Sequence, residues 1–402
     1  METRKELLQA NIEDLKKILD TEEVKGNPYE RAGIKAQLAS NLFEFSELLQ
    51  GQDKRKVLVE RKKLLAGNVA YYRAEGFKLD YATGNHQLGR ALWNLAEVSE
   101  GSERRKHLEN AIQAYRLALD VRTHKDFPHD YAATENGIAI ALNDLASMFE
   151  GDERRKYLHQ SVETYNLALL VYTLKDFPTD YAMTQNNLGV ALSDLASMFE
   201  GDERRKYLYQ SVEAYNLALL VYTLKDFPTD SAMTQHNLGS ALCDLGCTFR
   251  AEQRRRYLEK AVEACLLALE VYTHKDFPAD YAMTQNTLSN AFRILAGTFK
   301  ANKNRQYLEK AIEASRSALK VYKRRDFPTD YADAQHNLGT ALSDLVEISQ
   351  QEEKKRLVEE AKACYLEALS VYTEKHFPHE HKGVKGNLES LERMEKELGA
   401  PE

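Results

Sequence analysis

The sequence predicts an all-α solenoid built from antiparallel helix pairs. Three observations carry that prediction: a strict internal period, two stretches of helical apolar spacing in each period, and columns of small residues where helices must approach. The dipeptide Phe-Pro recurs at Phe127-Pro128, Phe177-Pro178, Phe227-Pro228, Phe277-Pro278, Phe327-Pro328 and Phe377-Pro378, a spacing of 50 residues every time. A period of that length marks stacked supersecondary units. The chain's 402 residues also exceed what one hydrophobic core supports.

The register reaches into the divergent N-terminal part. Leu38, Leu88, Leu188, Leu238, Leu338 and Leu388 share one column, Pro28 lies two periods upstream of Pro128, and Phe77 precedes Lys78 where Phe-Pro would stand. This divides the chain into an N-terminal capping helix (1–27), a degenerate first repeat (28–77), six regular repeats of 50 residues (78–377) and a C-terminal half-repeat cap (378–402).

Each repeat reads as two helices. In the copy that opens at Pro178, Tyr181, Leu188, Leu192, Leu195 and Phe199 fall on one helical face. Thr179 and Asp180 supply helix-start chemistry. Gly201 breaks the pattern, and Asp202 is placed to cap a second helix carrying Leu208, Val212, Tyr215, Leu219 and Tyr222. Leu224-Lys225-Asp226-Phe227 then leads to the next proline, which cannot continue a helix interior. Small residues recur at Gly89, Ala139, Gly189, Gly239, Ser289 and Gly339, and again at Ala118, Ala168, Ala218, Ala268, Ala318 and Ala368. Larger side chains there would force the helices apart, at about 1–3 kcal/mol.

With Leu188-Gly189 in the first helix, and Tyr215, Ala218 and the closing Pro228 in the second, the repeat resembles the tetratricopeptide repeat. The resemblance implies a right-handed superhelical solenoid. The departure is length, since this repeat has 50 residues against about 34 in the usual motif, and Gln185 stands where that motif has Trp. The string Thr184-Gln185-Asn186-Asn187-Leu188-Gly189 is similar to the long repeats of kinesin light chains, and more so to prokaryotic arrays found beside caspase-like CHAT protease domains.

Composition narrows the function classes. Hydrophobic residues at 43%, charged residues at 29% and a net charge of −7 describe an ordinary water-soluble chain without a dominant basic surface. No apolar run approaches the ~20 residues of a membrane span, and the N-terminal stretch lacks the continuous apolar segment of a signal peptide. Cys243, Cys247, Cys265 and Cys364 form no CxxC pair, which suits reduced thiols in the cytoplasm. The basic clusters opening the second helices (Arg104-Arg105-Lys106, Arg154-Arg155-Lys156, Arg204-Arg205-Lys206, Arg254-Arg255-Arg256, Lys354-Lys355-Arg356) travel with acids such as Asp152 and Glu203. They read as a solvated, ion-paired face rather than a phosphate track, so nucleic acid is disfavoured as a partner. Neither His236, Cys243 and Cys247 nor His376, His379 and His381 has the spacing of a recognised zinc site. The cysteines are read as small packing residues. No metal, cofactor or catalytic centre is expected, and the chain is not expected to be an enzyme.

In tetratricopeptide arrays the first helices line the concave groove, so the resemblance implies a binding face on the columns of Met183, Asn186, Asn187, Val190, Ser193 and Asp194. The candidate peptide-binding residues are His86, Arg90, Trp93, Asn136, Asn186, Asn187, His236, Asn237, Asn286, Arg293, His336 and Asn337. An Asn amide both donates and accepts, so a ladder of them can hold an extended backbone. Arg90, Trp93, Ile140, Asn143, Cys243, Asn290, Arg293 and Ile294 vary between repeats and would select the partner, with Trp93 as an aromatic anchor. The alternative is that the Asn and His residues bond neighbouring helices and hold the array together. The expected function is a protein- or peptide-binding scaffold. A regulatory subunit of a separately encoded effector, such as a CHAT-type protease, is the alternative, and self-association of exposed edges is a further one.

Overall fold

The computed structural model describes residues 2–398; Met1 and the end of the expected C-terminal cap, 399–402, lie outside the described residues. Among the described residues there are seventeen helices and no strand, in agreement with the all-α class. They group into two compact halves, Met1–Met198 and Phe199–Glu402.

The N-terminal half holds α1 (Glu2–Leu19), α2 (Glu22–Gly26), α3 (Pro28–Ser46), α4 (Gly51–Glu75), α5 (Lys78–Glu97), α6 (Gly101–Leu119), α7 (Pro128–Ala146), α8 (Gly151–Leu169) and α9 (Pro178–Ala196). The C-terminal half holds α10 (Gly201–Ala218), α11 (Pro228–Cys247), α12 (Ala251–Leu269), α13 (Pro278–Ala296), α14 (Ala301–Val321), α15 (Pro328–Ile348), α16 (Gln351–Leu369) and α17 (Pro378–Leu398). From α3 onward, within each half, every helix packs on the one before it and the one after it, as a tandem array of helix pairs must. The stretch read as one capping helix holds two, because Thr21 accepts the Val24 N–H and caps a separate turn.

The two helix starts differ in how they meet the sequence reading. At the first, α9 opens with Pro178 in its first turn and Asp180 as the first-turn acid, as read, while Phe177 in the cap position makes no side-chain cap bond. Proline suits that place because its missing N–H would be unpaired there anyway. Gly201 does not break a helix but begins one, at φ 61°. Asp202 lies in the first turn and pairs with Arg205 at 3.0 Å instead of capping. Helix ends were read too long. Helix α9 stops at Ala196 and α10 at Ala218, so Phe199 stands outside regular helix and packs on Tyr207 at 5.3 Å.

The link from second helix to next proline is a repeated turn. The Thr173 hydroxyl donates to Asp176 Oδ2 at 2.8 Å while the Asp176 N–H donates back to Thr173 Oγ1 at 3.0 Å, and the Thr123, Thr223 and Thr273 turns repeat this. Phe177 then folds onto Tyr172, ring centroids 5.7 Å apart, which seats the following first helix.

The small columns sit where helices touch. Ala118 and Ala168 in one half, and Ala218, Ala268, Ala318 and Ala368 in the other, are fully buried. A Cβ on Gly89 would lie 2.8 Å from the Tyr115 ring, and one on Gly239 would lie 2.6 Å from Cys265 Sγ. Ser289 is accommodated because Ser315 stands opposite it, the two hydroxyls 2.6 Å apart.

Candidate functional site

Within each half the first helices approach one another: α5 with α7 and α7 with α9, then α11 with α13, α13 with α15 and α15 with α17. Among the described residues no two successive second helices of a half come as close. Each half therefore curves with its first helices on the inside, and that inner face is the candidate site.

The inner face is stitched by polar bonds between successive repeats. His86 on α5 meets Thr134 Oγ1 on α7 at 3.0 Å, and His236 on α11 meets Thr284 Oγ1 on α13 at 3.2 Å. Each threonine hydroxyl already gives its proton to a carbonyl, Asp130 O and Asp280 O, so the imidazole Nδ1–H must be the donor. His336 Nε2 accepts from Asn387 at 2.9 Å, which places its proton on Nδ1 as well. Burial pushes the imidazoles of both His86 and His236 down to about 4, helped at His86 by the charges of Arg122 and Arg90. It lowers His336 too, ahead of the Arg293 charge.

Asn337 donates to Asn286 Oδ1 at 2.8 Å, Asn186 donates to Asn187 Oδ1 at 3.3 Å, and Asn136 is buried with its Oδ1 unpaired. Trp93 donates its indole N–H to Asp144 at 2.6 Å, Asn143 donates to Asp194 at 3.4 Å, and Arg293 pairs with Asp344 at 3.3 Å. Burial raises Asp144, Asp194 and Asp344 above the usual carboxylate range.

The structure thus separates the candidate residues by depth. His86, Asn136, Asn186, His236, Asn286 and His336 share a column sunk between helices, from half-buried to buried. Asn187, Asn237 and Asn337 are half-buried beside it, Trp93 and Arg293 are half-buried and bonded, and Arg90 is exposed. The more open stripe runs one residue along, with Met183 exposed and Asn187, Val190 and Asp194 half-buried on α9, positions three and four apart on one helical face. Met183, Met233 and Met283 are 37%, 39% and 39% exposed. The partners Asp144 and Asp344 belong to the Asp194 column that the sequence reading placed on this face, whereas Thr134 and Thr284 lie outside the columns it named. The signal was present as a threonine column two residues before the His/Asn column.

The arginine at the middle position of a second-helix start reaches the neighbouring repeat in three copies. Arg205 reaches the Thr248 carbonyl at 3.3 Å and stacks on Phe249 at 4.9 Å, Arg255 reaches the Thr298 carbonyl at 2.6 Å, and Arg305 pairs with Glu353 at 2.7 Å. Cys243, Cys265 and Cys364 are buried as packing residues, whereas Cys247, the last residue of α11, is exposed, against the sequence reading. No group able to hold a metal ion and no helix long and apolar enough to cross a membrane occurs among the described residues.

No protein-family model and no curated protein matches the sequence. Among solved structures, the chain is similar to the S. pombe nuclear import adaptor Nro1, at 14% identity over 79% of this chain and 99% of that one, with a TM-score of 0.45. It is also similar to the apo form of RapI, at 12% identity over 97% and 99% with a TM-score of 0.43, and to yeast Tom70, at 12% over 99% and 95% with a TM-score of 0.31.

Proposed function

We propose that the chain is a non-enzymatic scaffold or adaptor that holds a peptide or a partner's helix against the inner faces of its first helices. One observation carries this reading. Methionines recur, partly exposed, at the same column of the inner face on α9, α11 and α13, and flexible, polarisable methionine side chains are favoured on surfaces that accept partners. Beside them the side chains change from repeat to repeat (Arg90, Ile140 and Val190 in the N-terminal half, Ser240, Asn290 and Thr340 in the C-terminal half), while the stitching partners stay alike. The repeated parts serve the scaffold and the varied ones are free to select. The repeats themselves we read as a long variant of the tetratricopeptide unit, and the free thiols favour the cytoplasm.

The test is capture from the native lysate with the parent chain and with Met183, Met233 and Met283 changed to Glu. Loss of the captured partner from that variant, with retention in an outer-face control (Leu170→Glu, at a position 66% exposed), is the expected outcome. Undiminished capture by the methionine variant would overturn the reading.

A further inference from the structure

At the start of the inner face two arginines share one aromatic ring. The guanidinium of Arg61, on α4, lies 4.7 Å from the Phe43 ring centroid, and that of Arg90, on α5, lies 4.6 Å from it. Arg61 is only 5% exposed. It donates to Asn94 Oδ1 at 2.6 Å, and its Nε is buried with no partner. Neither arginine pairs with a carboxylate among the described residues. Between them opens a cavity of about 110 Å³ lined by both arginines, Phe43, Ser40, His86 and Gln87, with no acidic residue in its wall.

Two cations held close in a partly dry site repel each other, and a buried guanidinium without a counter-charge is costly to keep. A structure that keeps both is short of an anion there. We propose that this cavity is a binding site for a phosphate monoester, anchored by Arg61 and Arg90 with Ser40 and Gln87 at its wall. Charge selects the ligand. Two guanidiniums match a group carrying about −1.5 to −2 at neutral pH, and the N–H forks of arginine suit phosphoryl oxygens. A carboxylate compensates only one of them. The site opens on the same face as the peptide reading above. A phosphorylated side chain of a bound partner would extend that reading, whereas binding of a free phosphate compound stands without it.

Calorimetric titration of the full chain at fixed ionic strength, balanced with chloride, tests the site. Inorganic phosphate is expected to bind saturably and to move the His86 imidazole titration, followed by NMR, to higher pH. Arg90→Gln, at an exposed position, is expected to weaken binding about tenfold with the helical content unchanged. Arg61→Gln should do the same if it folds, and the Arg90 variant decides the matter if it does not. A short peptide carrying phosphoserine separates the sources. Affinity about tenfold above that of phosphate assigns the site to a modified partner, and equal affinity assigns it to a free phosphate compound. Absence of saturable phosphate binding, identical binding by the Arg90 variant, or acetate binding as tightly as phosphate would each overturn the proposal. None of these results depends on the methionine stripe.

Discussion

At the scale of single residues, the buried histidines of the inner face make the stability of the array depend on pH. Burial holds His236 at about 4 in the folded chain, against ~6.5 in an unfolded one. At pH 7 neither state carries the proton, and the full stability is present. As pH falls through the unfolded value, only the unfolded chain takes up the proton, so stability declines until the folded imidazole also titrates near pH 4. The loss is on the order of 3 kcal/mol for each such histidine. The column offers its own control in Asn136, Asn186 and Asn286. His236→Asn should flatten the fall in urea stability between pH 7 and pH 4.5 relative to the parent. The raised carboxylates Asp244 and Asp344 slope the other way, but they are common to both proteins and cancel in the difference. Parallel curves would show that the imidazole is not held neutral.

At the scale of the element, the second helices are set by how they begin. Gly51, Gly101, Gly151 and Gly201 open them at φ between 52° and 61°, and Ala251 opens α12 at φ 49°. An L-residue with a Cβ costs roughly 1–2 kcal/mol in that region. Ala251→Gly is therefore expected to raise stability by about 1 kcal/mol, seen as a higher urea midpoint with an unchanged slope. An unchanged or lower midpoint would show that the turn relaxes around the alanine. These starts also explain what the sequence made legible. The pairing of helices, the small columns and the place of each proline followed from period and spacing, because packing leaves a repeated apolar signature. Where a helix begins depends on one backbone angle, and Gly201 reads equally well as a stop or a start. Asp202 likewise reads as a cap or as the partner of Arg205. The stripe of Met183, Asn187 and Val190 was visible in the sequence, but whether Asn186 faced solvent or a neighbour was not, since its depth is set by the adjacent repeat.

At the scale of the molecule, stability in such an array is a sum over repeats and their interfaces rather than the property of one core. The bonds along the inner face show how the interfaces are kept alike. His86 is bonded to Thr134 and Trp93 to Asp144, and Thr184 and Asp194 occupy the same columns one repeat later. Removing residues 128–177 should bring those equivalents to the same partners. The shortened chain is expected to fold cooperatively, with undiminished helicity per residue by circular dichroism and a modestly lower melting point. Collapse to an unfolded or aggregated chain would show that the interfaces are not interchangeable.

The identical stretches Gly151–Leu158 and Gly201–Leu208 carry a consequence for inheritance. Interchangeable joints mean that copying errors which gain or lose one whole period leave a foldable product, while errors of any other size throw every partner out of line. Homologous chains should therefore differ in length by steps of 50, so that the span of the protein drifts in counted increments while the chemistry of each joint stays fixed.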